Sequence, residues 1–284
     1  MRVFLDSGDI DEIREAISWG VVDGVTTNPT LMREALSRRG GADIAGYVEE
    51  VLRAAGPGRP VSLEVMSTRA EDMVREGMTL YERFNPIAGN VVVKVPVNTR
   101  GIEEGDAEGL RAMRELSSSG VPVNATLIMT PAQAALAAAA GARYVSPFLG
   151  RVDDYVRAAL GIPFSKGDHL NIESLRAWLG RRAAEGDRAA MDVNSGILGG
   201  AELVRAVRRI FEAQGLRSEI IAASIRNPRQ AEEALEAGAH VITVPMGVLR
   251  GMMRHPKTEE GVRIFAEDAR RANYWEIFGP GWRK

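Results

Sequence analysis

Short apolar runs alternate with longer amphipathic segments along this chain, and glycine, proline, asparagine or aspartate marks most of the changes. The apolar runs are rich in valine and isoleucine and mostly continuous, which is typical of parallel strands buried on both faces. They predict eight strands, at 2–6, 24–27, 61–65, 91–95, 122–126, 143–146, 219–224 and 240–244.

The amphipathic segments between these runs predict helices, of which the clearest lie at 10–19, 70–84, 103–118, 132–139, 202–213 and 229–237. Glycine precedes several of the predicted strands, where it ends a helix in the left-handed conformation. Eight such pairs in 284 residues favour an α/β fold of the (β/α)8 TIM-barrel type over a doubly wound sheet. We expect a single barrel domain over 1–271, with an insertion at about 153–194 and a C-terminal tail at 272–284.

Composition excludes several classes of function. With a formal net charge of −2, the chain has no basic surface for nucleic acid. It contains no cysteine, so disulfides, thiolate nucleophiles and cysteine-ligated metals are excluded. No apolar run approaches the roughly 18 residues of a membrane span, and the first residues turn acidic where a signal peptide is apolar. We therefore expect a cytoplasmic protein with neither nucleic acid nor membrane as a partner.

Polar side chains stand at the ends of most predicted strands. In a TIM barrel the C-terminal strand ends form the active site, so these side chains are expected to converge. Residues two apart share a strand face, which groups Ser62 with Glu64 and Asn124 with Thr126. The alternative is that polar strand ends simply begin loops or cap helices. That alternative explains Glu64 and Lys94 poorly, because an apolar residue follows each of them. The positions are Asp6, Thr27, Asn28, Glu64, Lys94, Thr126, Ser146 and Ser224.

Lys94 is the only charged residue in the run VVVKVP at 91–96. An ammonium in a dry interior is costly, and the neutral amine that burial favours can form a Schiff base with a ketone. Alternatively, the side chain reaches water from the strand end. The 36 basic residues include four lysines and therefore 32 arginines, and arginine cannot replace an amine nucleophile. A coding bias could also leave four lysines at random. Lys166, Lys257 and Lys284 are expected to be solvated and replaceable.

A Schiff-base lysine needs a general acid or base beside it, because each step of its chemistry moves a proton. Asp6 and Glu64 are the candidates, and two carboxylates near one lysine can take separate roles. Thr126 could hold a water between Glu64 and the substrate. The alternatives are that Asp6 caps the helix that starts near Asp9, and that Glu64 forms a structural ion pair.

Five strings in the chain resemble the transaldolase family, especially its short microbial branch, which includes fructose-6-phosphate aldolases. The resemblance covers about 1–152 and 196–270. It implies a cofactor-free (β/α)8 enzyme that moves a dihydroxyacetone unit from a ketose phosphate to an aldose phosphate through a lysine Schiff base. The strings are VTTNPT (25–30), VVVKVP (91–96), NATLI (124–128), VSPFLGR (145–151) and AASIR (222–226).

The resemblance also implies roles for matching positions. Lys94 would be the Schiff-base lysine, Glu64 with Thr126 would activate the catalytic water, and Asp6 would be the acid/base for carbon–carbon cleavage. The dihydroxyacetone hydroxyls would be bound by Asn28 and Asn124, with Ser146 beside them. The phosphate would be bound by Arg151, Ser224 and Arg226, although Arg226 could also be a solvated arginine at a helix start.

Two positions separate transaldolases from aldolases within this branch. The family pattern implies glutamine at the position of Glu64 and tyrosine at that of Phe148 in the aldolases, so both residues here favour a transaldolase. The implied substrates are sedoheptulose 7-phosphate or fructose 6-phosphate as donor and glyceraldehyde 3-phosphate or erythrose 4-phosphate as acceptor, in the pentose phosphate pathway. An aldolase that releases free dihydroxyacetone remains the alternative.

The chain departs from the family pattern in three places. The usual Asp-Thr-Ala after the first strand is Asp6-Ser7-Gly8. The insertion at about 153–194, with a helical stretch near 172–184, follows strand six and could be a lid, an oligomer contact or a solvated excursion. The tail from Tyr274 to Trp282 is aromatic, and in the short branch this segment packs on a neighbouring subunit. The resemblance therefore implies a ring-shaped homo-oligomer, a pentamer or a decamer.

Two other classes of function are alternatives to this one. A metal-dependent barrel needs histidines at strand ends, but His169, His240 and His255 are poorly placed for that, so no metal is expected. A non-catalytic barrel that binds sugar phosphates would use Arg151 and Arg226 equally well. Lys94 separates this class from an enzyme, because a binding protein has no use for a buried amine opposite two carboxylates.

Overall fold

The computed structural model describes residues 1–40, 43–99, 101, 105, 107–184, 193–194 and 196–279. Eight parallel strands close into a barrel in sequence order, each hydrogen-bonded to the next and β8 to β1. The predicted (β/α)8 barrel is confirmed. The strands are β1 (Arg2–Asp6), β2 (Gly24–Thr26), β3 (Val61–Glu64), β4 (Val91–Pro96), β5 (Val123–Ile128), β6 (Tyr144–Pro147), β7 (Glu219–Ala222) and β8 (Val241–Val244).

Helices surround the barrel, and most of them pack an apolar face against the outer face of the sheet. Among the described residues, most connections between strands contain one helix, but the β2–β3 connection contains two and the β6–β7 connection three. The helices are α1 (Ile10–Ser18), α2 (Pro29–Arg38), α3 (Ile44–Ala55), α4 (Ala70–Ala88), α5 (Glu108–Ser118), α6 (Pro131–Ala139), α7 (Leu149–Ala159), α8 (Ile172–Ala184), α9 (Gly200–Gln214), α10 (Pro228–Glu236), α11 (Met246–Met252) and α12 (Pro256–Arg271), followed by a 3₁₀ helix (Tyr274–Phe278).

The predicted strand ends differ from the observed ones mainly in β5 and β7. β5 continues past Thr126 because a register irregularity between Ala125 and Ile128 takes up Leu127, whose φ is +59°. β7 ends at Ala222 instead of Ser224 because Ser224 has a left-handed φ of +60°. Both deviations lie at the C-terminal ends of strands, where bulges and strained residues often redirect functional side chains.

Two predicted helices also differ in length. The helix predicted at 103–118 begins at Glu108, and residues 102–104 and 106 lie outside the described part of the chain. α4 continues four residues beyond its predicted end at Phe84, although Pro86 lies in its last turn. Gly89, with φ +63°, ends this helix and donates its N–H to the carbonyl of Asn85 at 2.7 Å. The proline removes a single backbone donor there, so the turn is kept.

Side chains fill the barrel interior below the C-terminal strand ends. Phe4, Val92, Tyr144, Ile221 and Val241 form a buried cluster of their own. The rings of Phe4 and Tyr144 meet edge to face with their centroids 6.4 Å apart. This cluster fills the barrel interior, and the cavity described below opens at the C-terminal ends of the strands.

The segment between α7 and α9 follows strand six, as predicted, and α8 spans the residues predicted to be helical. Leu175 and Leu179 of α8 are buried in the main hydrophobic cluster, and Arg176 of this helix pairs with Glu202 of α9. Residues 185–192 and 195 of the predicted insertion lie outside the described part of the chain. At the other end of the chain, α12 buries no residue and the 3₁₀ helix exposes aromatic side chains; Trp282 and Lys284 are not among the described residues.

Among the helices that the structure describes, none has the length and apolar composition needed to cross a membrane.

Candidate active site

A cavity of about 270 Å³ opens at the C-terminal ends of the strands. Strand ends form one side of it, and the starts of helices and a loop form the other. Eight of the eleven residues predicted for the site line it: Asp6, Asn28, Lys94, Ser146, Phe148, Arg151, Ser224 and Arg226. The other three, Glu64, Asn124 and Thr126, are not among its lining residues.

Lys94 is 5% exposed, and it lines the cavity. Its Nζ lies 3.1 Å from Glu64 Oε2 and donates to the carbonyl of Thr27 at 3.0 Å. The register of the sheet explains the pairing, because Glu64 of β3 lies opposite Lys94 of β4. The alternative of a solvent-exposed lysine is therefore wrong, and the ion pair expected as an alternative for Glu64 is present.

Asp6 ends β1 and faces the cavity beside Lys94. Burial raises the pKa of Asp6 above its usual 3.8, Lys94 and a hydrogen bond from Thr26 oppose that rise, and Glu64 adds to it. Asp6 does not cap α1, because Asp9 does so by accepting from the N–H groups of the first turn. The helix-cap alternative for Asp6 is therefore wrong, and its carboxyl group is available to a ligand.

Thr26 and Thr243 support Asp6 and were not predicted. Thr26 Oγ1 donates to Asp6 Oδ1 at 2.8 Å and lies 2.5 Å from Thr243 Oγ1. Since the single proton of Thr26 goes to Asp6, Thr243 donates to Thr26. Both threonines line the cavity, but each stands in an ordinary β-branched strand run, which hides its role in the sequence.

A chain of buried hydrogen bonds links side chains of three strands, β3, β5 and β6, at the cavity. Asn124 Nδ2 donates to Ser62 Oγ at 3.1 Å, and Ser146 Oγ donates to Asn124 Oδ1 at 2.7 Å. Ser146 lines the cavity, whereas Asn124 is fully buried. Asn124 also lies opposite Lys94 in the register of β4 and β5. The amide of Asn124 therefore holds Ser146 in place beside the lysine.

Thr126 is fully buried, and its Oγ1 has no hydrogen-bond partner among the described residues. Buried hydroxyls are nearly always hydrogen-bonded, because an unpaired one costs about 1–3 kcal/mol. Thr126 lies opposite Pro96, next to the irregularity in β5. An unpaired hydroxyl at a strand end of this kind is suited to holding a water molecule.

Asn28 combines both roles considered for a polar strand end. Its Oδ1 accepts from the N–H of Leu31 at 3.0 Å and so caps α2. It also lines the cavity, and its side-chain amide can still donate to a ligand.

The opposite side of the cavity carries arginines. Arg226 Nη1 donates to Asp154 Oδ1 at 2.6 Å, and its side chain is 14% exposed. The alternative of a solvated arginine is therefore wrong. Gly150, at the start of α7, brings this helix close to β7: an added Cβ would lie 2.8 Å from Arg226 Nε. Its N–H donates to the carbonyl of Ser224 at 3.1 Å.

Arg151 lies next to Gly150 and is exposed. Its guanidinium group is 5.2 Å from the centroid of the Phe148 ring. Stacking on an aromatic face fixes the direction of a guanidinium group and leaves its donors free.

Lys166 lines the same side of the cavity, which the sequence did not predict. It is exposed, as expected, but it comes from the connection between α7 and α8. In the described residues, histidines and carboxylates form no group of three or more arranged to hold a metal ion.

The sequence matches known proteins along nearly its whole length. The profile of the family described as Transaldolase/Fructose-6-phosphate aldolase matches residues 3–277. A protein of Thermoplasma acidophilum named "Probable transaldolase" is 37% identical over 274 residues, which cover 96% of this chain and 97% of that protein. A protein of the same name from Thermus thermophilus is 38% identical over 284 residues, which cover 99% of this chain and 100% of that protein.

Proposed function

Because the chain belongs to the transaldolase/fructose-6-phosphate aldolase family, we propose that it is a transaldolase. It transfers a dihydroxyacetone unit from fructose 6-phosphate or sedoheptulose 7-phosphate to glyceraldehyde 3-phosphate or erythrose 4-phosphate, in the pentose phosphate pathway. The observation that carries the proposal is a buried amine, that of Lys94, at the end of a cavity that also contains Asp6 and two arginines.

Lys94 forms the Schiff base. Its ammonium first gives a proton to a base, and Glu64 is 3.1 Å away to accept it. The neutral amine then attacks the carbonyl carbon C2 of the ketose, and the resulting carbinolamine loses water to give an iminium ion. The iminium nitrogen draws electrons from the neighbouring bonds, which prepares the sugar for cleavage.

Asp6 takes the proton from the C4 hydroxyl of the sugar. The C3–C4 bond then breaks, its electron pair passes to the iminium as an enamine, and the aldose phosphate leaves. An incoming aldehyde reverses these steps, with Asp6 returning the proton. Burial raises the pKa of Asp6, which makes it a stronger base than an ordinary carboxylate once it is ionised.

Glu64 and Thr126 act on the water that is released when the Schiff base forms and that attacks the iminium carbon when the Schiff base is hydrolysed. The unpaired hydroxyl of Thr126 supports this role, because a bound water would satisfy it. Asn28, Asn124 and Ser146 bind the dihydroxyacetone hydroxyls, two of them from the cavity wall and Asn124 through Ser146.

The phosphate of the sugar binds at the opposite side of the cavity, to Arg151, Ser224 and Arg226. Guanidinium groups suit a phosphate because they donate two parallel hydrogen bonds. Since Lys94 and these arginines line one cavity, a sugar phosphate can contact both sides at once.

The direct test is chemical trapping. We expect fructose 6-phosphate and borohydride together to inactivate the protein irreversibly and to add one reduced dihydroxyacetone or hexose unit to the peptide that contains Lys94, as read by mass spectrometry. Borohydride alone is the control. No adduct, or an adduct on Lys166 or Lys257, would sink the mechanism and would favour a barrel that only binds sugar phosphates.

A second assay separates transfer from simple cleavage. With fructose 6-phosphate and erythrose 4-phosphate, a transaldolase forms sedoheptulose 7-phosphate, whereas an aldolase releases free dihydroxyacetone without any acceptor. Glu64 and Phe148 favour transfer. Dihydroxyacetone formed at the rate of fructose 6-phosphate consumption would overturn this assignment.

We also propose that the chain forms a ring-shaped homo-oligomer, a pentamer or a decamer, through its C-terminal segment. α12 and the 3₁₀ helix expose Val262, Phe265, Tyr274 and Ile277 in the single chain, and exposed groups of large apolar side chains are typical of protein contacts. Light scattering of the wild type and of Phe265→Glu tests this: the variant is expected to dissociate, and a monomeric wild type would contradict the proposal.

A further inference from the structure

The connection between α7 and α8 brings a third cation to the arginine side of the cavity. Lys166 lines the cavity together with Arg151 and Arg226. Its side chain is exposed, and no described carboxylate is within ion-pair distance of its ammonium group. Arg151 also has no ion-pair partner among the described residues. Two of the three cations therefore keep an unbalanced charge.

The backbone around Lys166 forms a closed turn. The N–H of Ser165 donates to Asp168 Oδ2 at 2.6 Å, and the N–H of Asp168 donates to the carbonyl of Ser165 at 3.0 Å. Gly167 has a φ of +116°, which a residue with a side chain rarely adopts. Lys166 lies at the corner of this turn, so its position is set by the turn.

Two side chains fasten the turn to the rest of the site. Asn227 Nδ2 donates to the carbonyl of Gly167 at 2.9 Å, and the buried Arg157 donates from Nη2 to the carbonyl of Asp168 at 2.9 Å. Asn227 directly follows Arg226 and caps α10. The start of one helix therefore fixes both Arg226 and the turn that carries Lys166.

The charges of this region match a phosphate monoester. Arg226 is paired with Asp154, whereas Arg151 and Lys166 are free to balance the nearly two negative charges that a phosphate carries at neutral pH. We propose that Lys166 is a phosphate-binding residue that increases the preference of the site for phosphorylated over unphosphorylated sugars. The nature of the sugar rests on the proposed function above.

Binding of glucitol 6-phosphate tests this proposal without the catalytic reaction, because this compound has a phosphate but no carbonyl group to form a Schiff base. We expect the dissociation constant from calorimetry to rise about five- to tenfold in Lys166→Ala, and to recover largely in Lys166→Arg, which keeps the charge. Lys257→Ala is the matched control, since Lys257 is an exposed lysine of α12 paired with Glu260. A higher salt concentration should reduce the difference in this dissociation constant between the wild type and Lys166→Ala.

Kinetics provide the second measurement. In Lys166→Ala, the loss of kcat/KM should be about five- to tenfold greater for fructose 6-phosphate than for fructose, and it should lie mainly in KM. Equal losses for the two sugars, or an unchanged dissociation constant for glucitol 6-phosphate, would overturn the role of Lys166. If the wild type binds glucitol 6-phosphate but does not turn over any ketose phosphate, the proposed function fails and the binding assay still decides on Lys166.

Discussion

The two sides of the cavity are built differently. The side proposed for the chemistry takes Asp6, Glu64, Lys94 and Thr126 from four strands, and the sheet fixes them through register. The side proposed for the phosphate takes its cations from a helix start, a turn after β7 and the connection between α7 and α8. Lys94 and Thr126 are buried, whereas Arg151 and Lys166 are exposed.

This difference separates two requirements of a catalyst. Reacting groups must be held within a fraction of an ångström, which a closed barrel provides, and proton transfers depend on a dry environment. A phosphate far from the reacting bond is bound by positively charged donors that point at its oxygens, and these donors need less burial than the reacting groups do. Substitutions on the strand side should therefore change kcat, and substitutions on the opposite side should change KM for phosphorylated sugars.

The largest effect is expected for Lys94→Arg. Arginine keeps a positive charge opposite Glu64 but has no amine to form a Schiff base, so turnover should fall by at least ~10⁴-fold. Binding of glucitol 6-phosphate should persist, because the arginines on the other side are untouched. A thermal melt shows whether the larger side chain is tolerated. Turnover within tenfold of the wild type would break the proposed division between the two sides.

Asp6→Asn is expected to reduce kcat by about 10²–10⁴-fold, the usual contribution of a general acid or base. It should also stabilise the protein at neutral pH. Because burial raises the pKa of Asp6 above 3.8, the folded state holds the proton more tightly than the unfolded state does. Stability of the wild type therefore falls as the pH rises from 3.8 through the folded pKa, and asparagine avoids this loss.

Urea unfolding of Asp6→Asn and of the wild type, at neutral pH and near pH 3.8, tests the expected gain in stability. At neutral pH, the variant should unfold at a higher urea concentration than the wild type. The difference between the two unfolding midpoints should narrow as the pH approaches 3.8. A variant that is less stable at neutral pH would show that the pairing of ionised Asp6 with Lys94 outweighs its burial.

Arg226→Ala should have an intermediate effect on the phosphate side. Loss of a hydrogen bond to a charged group costs about 1.5–3 kcal/mol, or roughly 10- to 100-fold in kcat/KM for fructose 6-phosphate. Arg229→Ala is the control three residues further along, in the first turn of α10, because Arg229 is exposed and pairs with Glu232. The double variant Arg226→Ala/Asp154→Asn also removes the carboxylate that Arg226→Ala leaves unpaired. Its loss of kcat/KM therefore reports the lost contact between Arg226 and the phosphate. An equal loss with fructose would contradict the assignment.

The same division decides what could be predicted from sequence. Eight strands and the convergence of Asp6, Lys94 and Ser146 follow from apolar runs that end in polar residues. Lys166 could not be predicted, because its place depends on hydrogen bonds from Asn227 and Arg157 that join distant parts of the chain.

The local sequence pattern also could not assign a role where one residue type occurs in two kinds of position. Asp6 could have capped the next helix, and only the structure assigns the cap to Asp9. Thr26 and Thr243 look like ordinary strand residues, although they form a hydrogen-bonded pair that supports Asp6. Ser224 fits a strand pattern, but its left-handed φ ends β7 two residues earlier.

The smallest effect is expected for Thr126→Val, which replaces the unpaired hydroxyl with a methyl group of similar size. Because no described residue pairs with this hydroxyl, its removal should change the free energy of unfolding by no more than about 1 kcal/mol. If Thr126 holds the catalytic water, kcat should fall by less than about tenfold, because Glu64 still contacts Lys94. Thr126→Ser keeps the hydroxyl and should keep the rate. If Thr126→Val lowers the stability but not kcat, Thr126 is a structural residue. The catalytic groups on the strand side of the cavity would then be Asp6, Glu64 and Lys94 alone.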